Sequence, residues 1–404
     1  MWGAAALLLG AQCAHADDLL KPLVDIRARY EEVEQAGVPE NADALTVRAR
    51  LGFETRSFAS TSLLAEGEAM VPVENNYRPD NAAATYTRYP VVADPENYVI
   101  NRLSLTNTAL PQTTITVGRQ RIILDDQRFV GNSGWRQNEV TYDAARLVNK
   151  TLPNLTVDVT FLNKVHRLYG VDSPQGTYRG DSYLANVSYR FALGKLTGFA
   201  YLLDFDPIAG LTGALDPRRS STSTYGARLT GEQPIGSFKL GYIATFATQK
   251  PRGDNPLDFS NDYFLGELNA TWKGLKIAAG DEIMRGNGTV GFATPLATLH
   301  LFEGWADKFL TTPPNGIKDP YGSVGWTSLH TAGLDSLSLT VVYRSFEAKH
   351  VSDNYGDEWD IALSGKWHHY AVLLQYANYT AAGTTPIAIA RNTSKFWAQL
   401  EYVW

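Results

Sequence analysis

From Leu19 to Trp404 the chain alternates apolar and polar positions with a period of two. Leu45, Val47, Ala49, Leu51 and Phe53 interleave with Thr46, Arg48, Arg50, Gly52 and Glu54. Val24, Ile26, Ala28 and Tyr30 do the same against Asp25, Arg27, Arg29 and Glu31, as do Leu155, Val157, Val159 and Phe161 against Asp158, Thr160 and Lys164. Such alternation places one side-chain set on each face of a β-strand. The segments run for roughly 10 to 14 residues, about twice the usual length in a soluble sandwich, which suits strands tilted across a bilayer.

The connections alternate too. Short ones fall at 58–60, 110–112, 152–154, 193–195, 273–274, 333–335 and 368–369. Long ones fall near 32–43, 75–96, 126–137, 169–180, 206–220, 250–260, 286–322, 350–356 and 381–390. Short turns on one side and long loops on the other predict an all-β, transmembrane, antiparallel up-and-down barrel of about 18 strands, with periplasmic turns and extracellular loops. In the longest loop, Pro295, Leu299, Phe302, Ala306 and Phe309 are spaced for a short amphipathic helix, which would pack over the mouth or narrow it. At the C-terminus Phe396, Ala398, Leu400, Tyr402 and Trp404 share one face, resembling the Phe396–Trp404 type of signal read by the outer-membrane insertion machinery.

Composition agrees with strands: 21 Tyr, 16 Phe, 9 Trp and 34 Gly, with no linker separating domains. The N-terminal MWGAAALLLGAQCAHADD carries an apolar core and Ala14-His15-Ala16 before Asp17, so residues 1–16 are expected to be a cleaved signal peptide and 17–404 one barrel domain. Cys13 is the only cysteine, which leaves the mature chain without disulfides. A net charge of −6 argues against nucleic acid as a partner.

Charge is concentrated in Thr113–Arg146, where Arg119, Arg121, Arg128 and Arg136 lie among Asp125, Asp126, Glu139 and Asp143. Paired charge at this density needs water, a partner or a pore. If the apolar faces meet lipid, the lumen collects Arg27, Arg29, Arg48, Arg50, Arg56, Arg102, Arg119, Arg121, Arg190, Arg228 and Arg344, because each would cost roughly 2–4 kcal/mol at the lipid midplane. Guanidinium groups bind carboxylates through paired hydrogen bonds, so the wall suits an anionic sugar chain. Glu54, Glu66, Glu68, Asp158 and Glu267 would partly neutralise it, and a structural salt-bridge lining stands beside the selective pathway as a reading. Asp125 and Asp126 are expected to pair with Arg128 and Arg136. Arg119 and Arg121 share the parity of Ile115 and Val117, so their place in the lumen requires a bulge near Gly118.

The runs GRQRIILDDQRFVGNSGWRQNEVTYDAARL and TPLATLHLFEGWADKFLTTPPNGIKDPYGSVGW resemble the alginate-export family of bacterial outer-membrane porins. The resemblance implies a monomeric 18-stranded barrel whose arginine-rich pore conducts anionic polysaccharide, and it points to Arg119, Arg121 and Arg128 as the basic pore motif. The function expected is therefore a passive channel in the outer membrane of a Gram-negative bacterium, carrying an alginate-like poly- or oligosaccharide in or out. A general or small-carboxylate porin is the alternative, with a barrel enzyme or adhesin behind it. No nucleophile elbow, phosphate loop or zinc spacing is present, so no catalytic residue or metal ligand is assigned and no cofactor expected. Loop Ca²⁺ at Asp353, Asp357, Glu358 and Asp360, or at Asp254, Asp258 and Asp262, is the one metal reading considered. His368-His369, beside Trp367 and Tyr370, reads as part of an interfacial aromatic belt.

Overall fold

A computed structural model of the protein describes residues 19–79, 88–382 and 390–404. The segment 1–16, expected to be a signal peptide, lies outside them. The first strands are β1 (Leu20–Gln35), β2 (Ala42–Thr55), β3 (Thr61–Asn76), β4 (Asn97–Asn107), β5 (Thr113–Gln120) and β6 (Thr141–Asn149). Next come β7 (Leu155–His166), β8 (Thr177–Phe191), β9 (Gly194–Leu202), β10 (Thr222–Ile235), β11 (Phe238–Pro251) and β12 (Asn261–Trp272). The ring is completed by β13 (Leu275–Met284), β14 (Ile317–Thr331), β15 (Leu334–Glu347), β16 (Asn354–Trp367), β17 (Tyr370–Ala381) and β18 (Thr393–Val403).

All neighbours are antiparallel, and β1 pairs with both β2 and β18, so 18 strands close on themselves with no free edge. Every even-to-odd connection is a tight turn and every odd-to-even connection a longer loop, as the spacing predicts, and both described ends lie on the short-turn side. Outward faces carry exposed Leu51, Ile100, Val117, Leu268, Ile361 and Leu400, an apolar exterior of the kind water does not tolerate but hydrocarbon does. Around the short turns, Trp367, Tyr370 and Tyr402 pack with His368 and His369 into the expected belt. Among the described residues no helix is long and apolar enough to cross a membrane.

The predicted loop helix does not form. Only Leu299–Leu301 make a single 3-10 turn, and the loop ends earlier than its spacing indicates, because β14 starts at Ile317. Its apolar residues are satisfied by tertiary packing instead: Phe309 lies against Phe346, Tyr355 and Tyr379 at centroid distances of 4.6, 5.8 and 5.9 Å.

Candidate functional site: a lumen narrowed by two inserted loops

Segments 121–140 and 285–316 fold inward and bind each other. The Gly131 N–H donates to the Leu296 carbonyl at 2.8 Å, the Thr298 N–H to the Gln127 carbonyl at 3.1 Å, and the Ser133 N–H to Thr298 Oγ1 at 3.0 Å. Arg128 bridges them to the wall: its guanidinium lies 2.6 Å from Glu282 of β13 and 2.6 Å from Glu303, with its carbon centre 4.7 Å above the Phe302 ring. Trp135 stacks on His300 at 4.0 Å with 6° between the rings, and Trp397 of β18 closes that stack edge-on.

The arginines of β1 and β2 point inward as alternation requires, and the inserted loop covers them. Arg27 pairs with Glu401 at 2.7 Å and donates to the carbonyls of Gly134, Trp135 and Arg136. Arg29 donates to Gln399 at 2.7 Å and to the Trp135 carbonyl at 2.5 Å. Arg48 pairs with Asp25 and Glu401, and Arg50 with Glu68 at 2.5 Å and with the Gln137 carbonyl at 3.1 Å. Arg29, Arg48 and Arg50 retain 1, 0 and 3% of their surface. A passing solute cannot reach groups so enclosed: Arg29 and Arg50 hold the loop against the wall, while Arg48 ties β2 to β1 and β18 within the wall. Arg344 is engaged in the same way, with Asp319 and the Tyr321 ring. Arg102 pairs with Glu66 at 2.5 Å on the inner face, and Glu54 occupies an inner-face position near the turns, opposite Lys21 and Leu64.

The structure separates Arg119 from Arg121. β5 keeps an unbroken register with β4 and β6, so Arg119 stands in the row Leu103–Arg119–Asp143–Lys164, and exposed Leu103 marks that row as outward. The expected bulge is missing; Gly118, at φ +117°, bends the strand without changing its register. Arg119 is held by Asp143 at 2.8 Å and donates to the Ile100 carbonyl at 2.7 Å, where β4 runs on beyond the end of β5. It therefore seals the wall from an outward-facing position, closing a gap that Glu68, Asn101 and Glu139 border from the lumen side. After Gln120 the chain leaves the sheet and strand parity lapses, which lets Arg121 turn inward onto Glu139 at 2.6 Å. Burial alone would raise the Glu139 carboxyl; Arg50 and Arg121 instead hold it down at about 2.

Asp125 and Asp126 do not pair with the guanidinium groups of Arg128 and Arg136. Asp125 meets Lys195 at 3.1 Å and Asn186 at 2.7 Å, and Asp126 meets Arg228 at 2.8 Å. These residues fasten the loop across the lumen to β8, β9 and β10. Nor do the acids of 353–360 gather as one set: Glu358 and Asp360 meet within the lumen, where Glu358 also accepts the Ala306 N–H, but Asp357 accepts from the Tyr343 hydroxyl on the outer face. Asp262 pairs with Arg285 at 3.7 Å.

Alternation put Glu31 on the polar face but identified neither Asp94 and Asp307 nor the cavities. Glu31, Asp94 and Asp307 surround Arg136 at 3.0, 3.8 and 2.7 Å, and Asp307 also takes Lys395 at 2.8 Å and His300 Nδ1 at 2.8 Å. Burial lowers the His300 imidazole to about 4, with Arg136 and Lys395 acting in the same direction. On the loop side of this cluster lie two cavities that share Ala93, Arg136, Tyr169, Asp307 and Leu310. One measures about 1230 Å³ with open solvent included and is lined by Arg78, Arg136, Lys308, Arg391 and Lys395, with Asp307 the one acid among the described residues. The other, about 1850 Å³ with open solvent included, brings in Arg167 and Arg219.

No family model and no curated protein matches the chain. Solved structures do. OpdL of Pseudomonas aeruginosa superposes with a TM-score of 0.70 at 15% identity over 95% of this chain and 98% of its own. OccAB3 of Acinetobacter baumannii gives 0.71 at 11% identity over 95% and 99%. OpdK, an outer membrane protein of P. aeruginosa also solved with vanillate, gives 0.68 at 13% over 95% and 99%. These structures lend no support to the resemblance to alginate-export porins, and at such identities the likeness is one of architecture. Over nearly its whole length, the chain has the fold of the outer-membrane β-barrel porins.

Proposed function

We propose that the protein is a passive outer-membrane channel for small anionic solutes, carboxylates in particular. The observation that carries this reading is the cation excess at the loop-side mouth, five basic side chains to one acid around the smaller cavity, in a chain whose net charge is −6. A mouth of one sign between low-dielectric walls raises the local concentration of the opposite ion and speeds its entry. The two inserted loops and the enclosure of Arg29, Arg48 and Arg50 support a small solute over a polymer, because a polyuronate needs an open row of cations along its length. That OpdK has been solved with vanillate, an aromatic carboxylate, points the same way.

The test is planar-bilayer conductance of the purified barrel under a salt gradient, followed by competition of benzoate and of alginate oligomers against chloride. The reading expects anion selectivity and block by benzoate. Cation selectivity, or block by the oligomers alone, would overturn it.

A further inference from the structure

The cavity of about 1230 Å³ contains two cations whose situation differs from that of the rest. Arg136 and Lys395 are committed to Asp307 at 2.7 and 2.8 Å. Lys308 and Arg391 make no ion pair among the described residues. The Lys308 ammonium donates to Thr393 Oγ1 at 3.0 Å and lies 5.6 Å from the Tyr379 ring centre, and Arg391 donates only weakly, to the Gly37 carbonyl at 3.4 Å. The rest of the lining is Val33, Val91, Ala93, Ala306 and Leu310, with Tyr169, Gln35 and Arg78, the last engaged in an interaction of its own. Two cations without carboxylate partners beside an apolar wall form a receptor for an anionic head on an apolar body.

We propose that Lys308, with Arg391 beside it, is the specificity-determining group that receives the solute's carboxylate in this cavity. The inference rests on the reading of the protein as a carboxylate channel and names the residue that receives the head group. Burial, with Lys395 and Arg391 nearby, pulls the Lys308 ammonium down to about 8, and Glu358 is the acid that opposes them. A carboxylate in the cavity supplies the missing counter-charge and draws the proton back. Binding is therefore strong while Lys308 is charged and fades as the pH rises through that value. Between pH 7 and pH 9 the charged fraction of such a group falls about tenfold.

The experiment is benzoate block of single-channel chloride current at pH 7 and pH 9 for the wild type, Lys308→Met and Lys308→Arg. In the wild type the block constant is expected to weaken about tenfold over that interval. Lys308→Met should show the weak value at both pH values, and Lys308→Arg the strong value at both, which also shows that the arginine variant is folded. Equal block at both pH values in the wild type, or an unchanged block and pH profile in Lys308→Met, overturns the proposal. If the wild type shows no benzoate block at pH 7, the carboxylate reading itself has failed, and the two failures are thereby told apart.

Discussion

Arg128 and Glu303 belong to different inserted loops and meet at 2.6 Å in the interior, each with 3% or less of its side chain exposed. The constriction is thus a pair of loops clasped by a buried ion pair, with Glu282 of the wall as the third member.

Replacing Arg128 by Met removes the cation from between two carboxylates that stay buried. Breaking one partner of such a pair costs about 3–5 kcal/mol. The loops should come apart while the barrel stays closed, so the variant is expected to fold, to conduct more and to flicker. Single-channel recordings as quiet as those of the wild type would refute this account of the clasp.

Arg119 and Arg121 should separate by experiment as they do in space. Arg121→Ala leaves Glu139 with Arg50 as its one ion-pair partner among the described residues and should alter conductance and anion preference. Arg119→Ala removes the hydrogen bond to Ile100 and the pairing with Asp143, so it should lower the temperature at which the barrel unfolds and leave selectivity unchanged. Reversal potentials and heat-shifted gel mobility read the two effects, and a selectivity change in Arg119→Ala would count against its position in the wall.

Acid should loosen the inserted loops through His300. In place, the ring is held down at about 4 by burial; once released into water it returns to its ordinary value near 6.5. The docked state takes up the proton less readily, so docking is at full strength above about 6.5 and weakens as the pH falls toward about 4. Gating noise should rise across that window, and His300→Gln should remove the dependence. Noise that rises identically in the variant would assign the effect to another group.

Gly118→Ala should impair folding. A side-chain carbon there would lie 2.3 Å from the Leu103 carbonyl oxygen, at a φ of +117° that L residues rarely adopt. The conformational strain alone is of order 1–3 kcal/mol. Urea unfolding in lipid or detergent measures it, and a stability equal to the wild type would contradict the backbone described here.

The barrel was legible because its signal is local: period two, repeated, with Leu193-Gly194 or Lys273-Gly274 marking where strands turn. Parity also placed Arg27, Arg29, Arg48 and Arg50 on the inner face. What lies opposite them was not legible, because the carbonyls of Gly134, Trp135 and Gln137 reach them only through the folding-in of a loop that has no periodicity of its own. The same limit explains Asp125 and Asp126. Neighbours in sequence suggested Arg128 and Arg136, whereas the partners, Lys195 and Arg228, come from strands across the lumen. Phe302, Ala306 and Phe309 carried helical spacing only because intervals of three and four residues also arise in an irregular loop that buries several sides.

Arg27 and Arg29 sit on β1 and hold, at once, Glu401 and Gln399 of β18 and the backbone of the inserted loop. The seam where the ring shuts and the dock where the lumen narrows are therefore one joint. A chain that has not yet delivered its final strand lacks half of that dock, so during assembly the channel acquires its filter only as it becomes watertight.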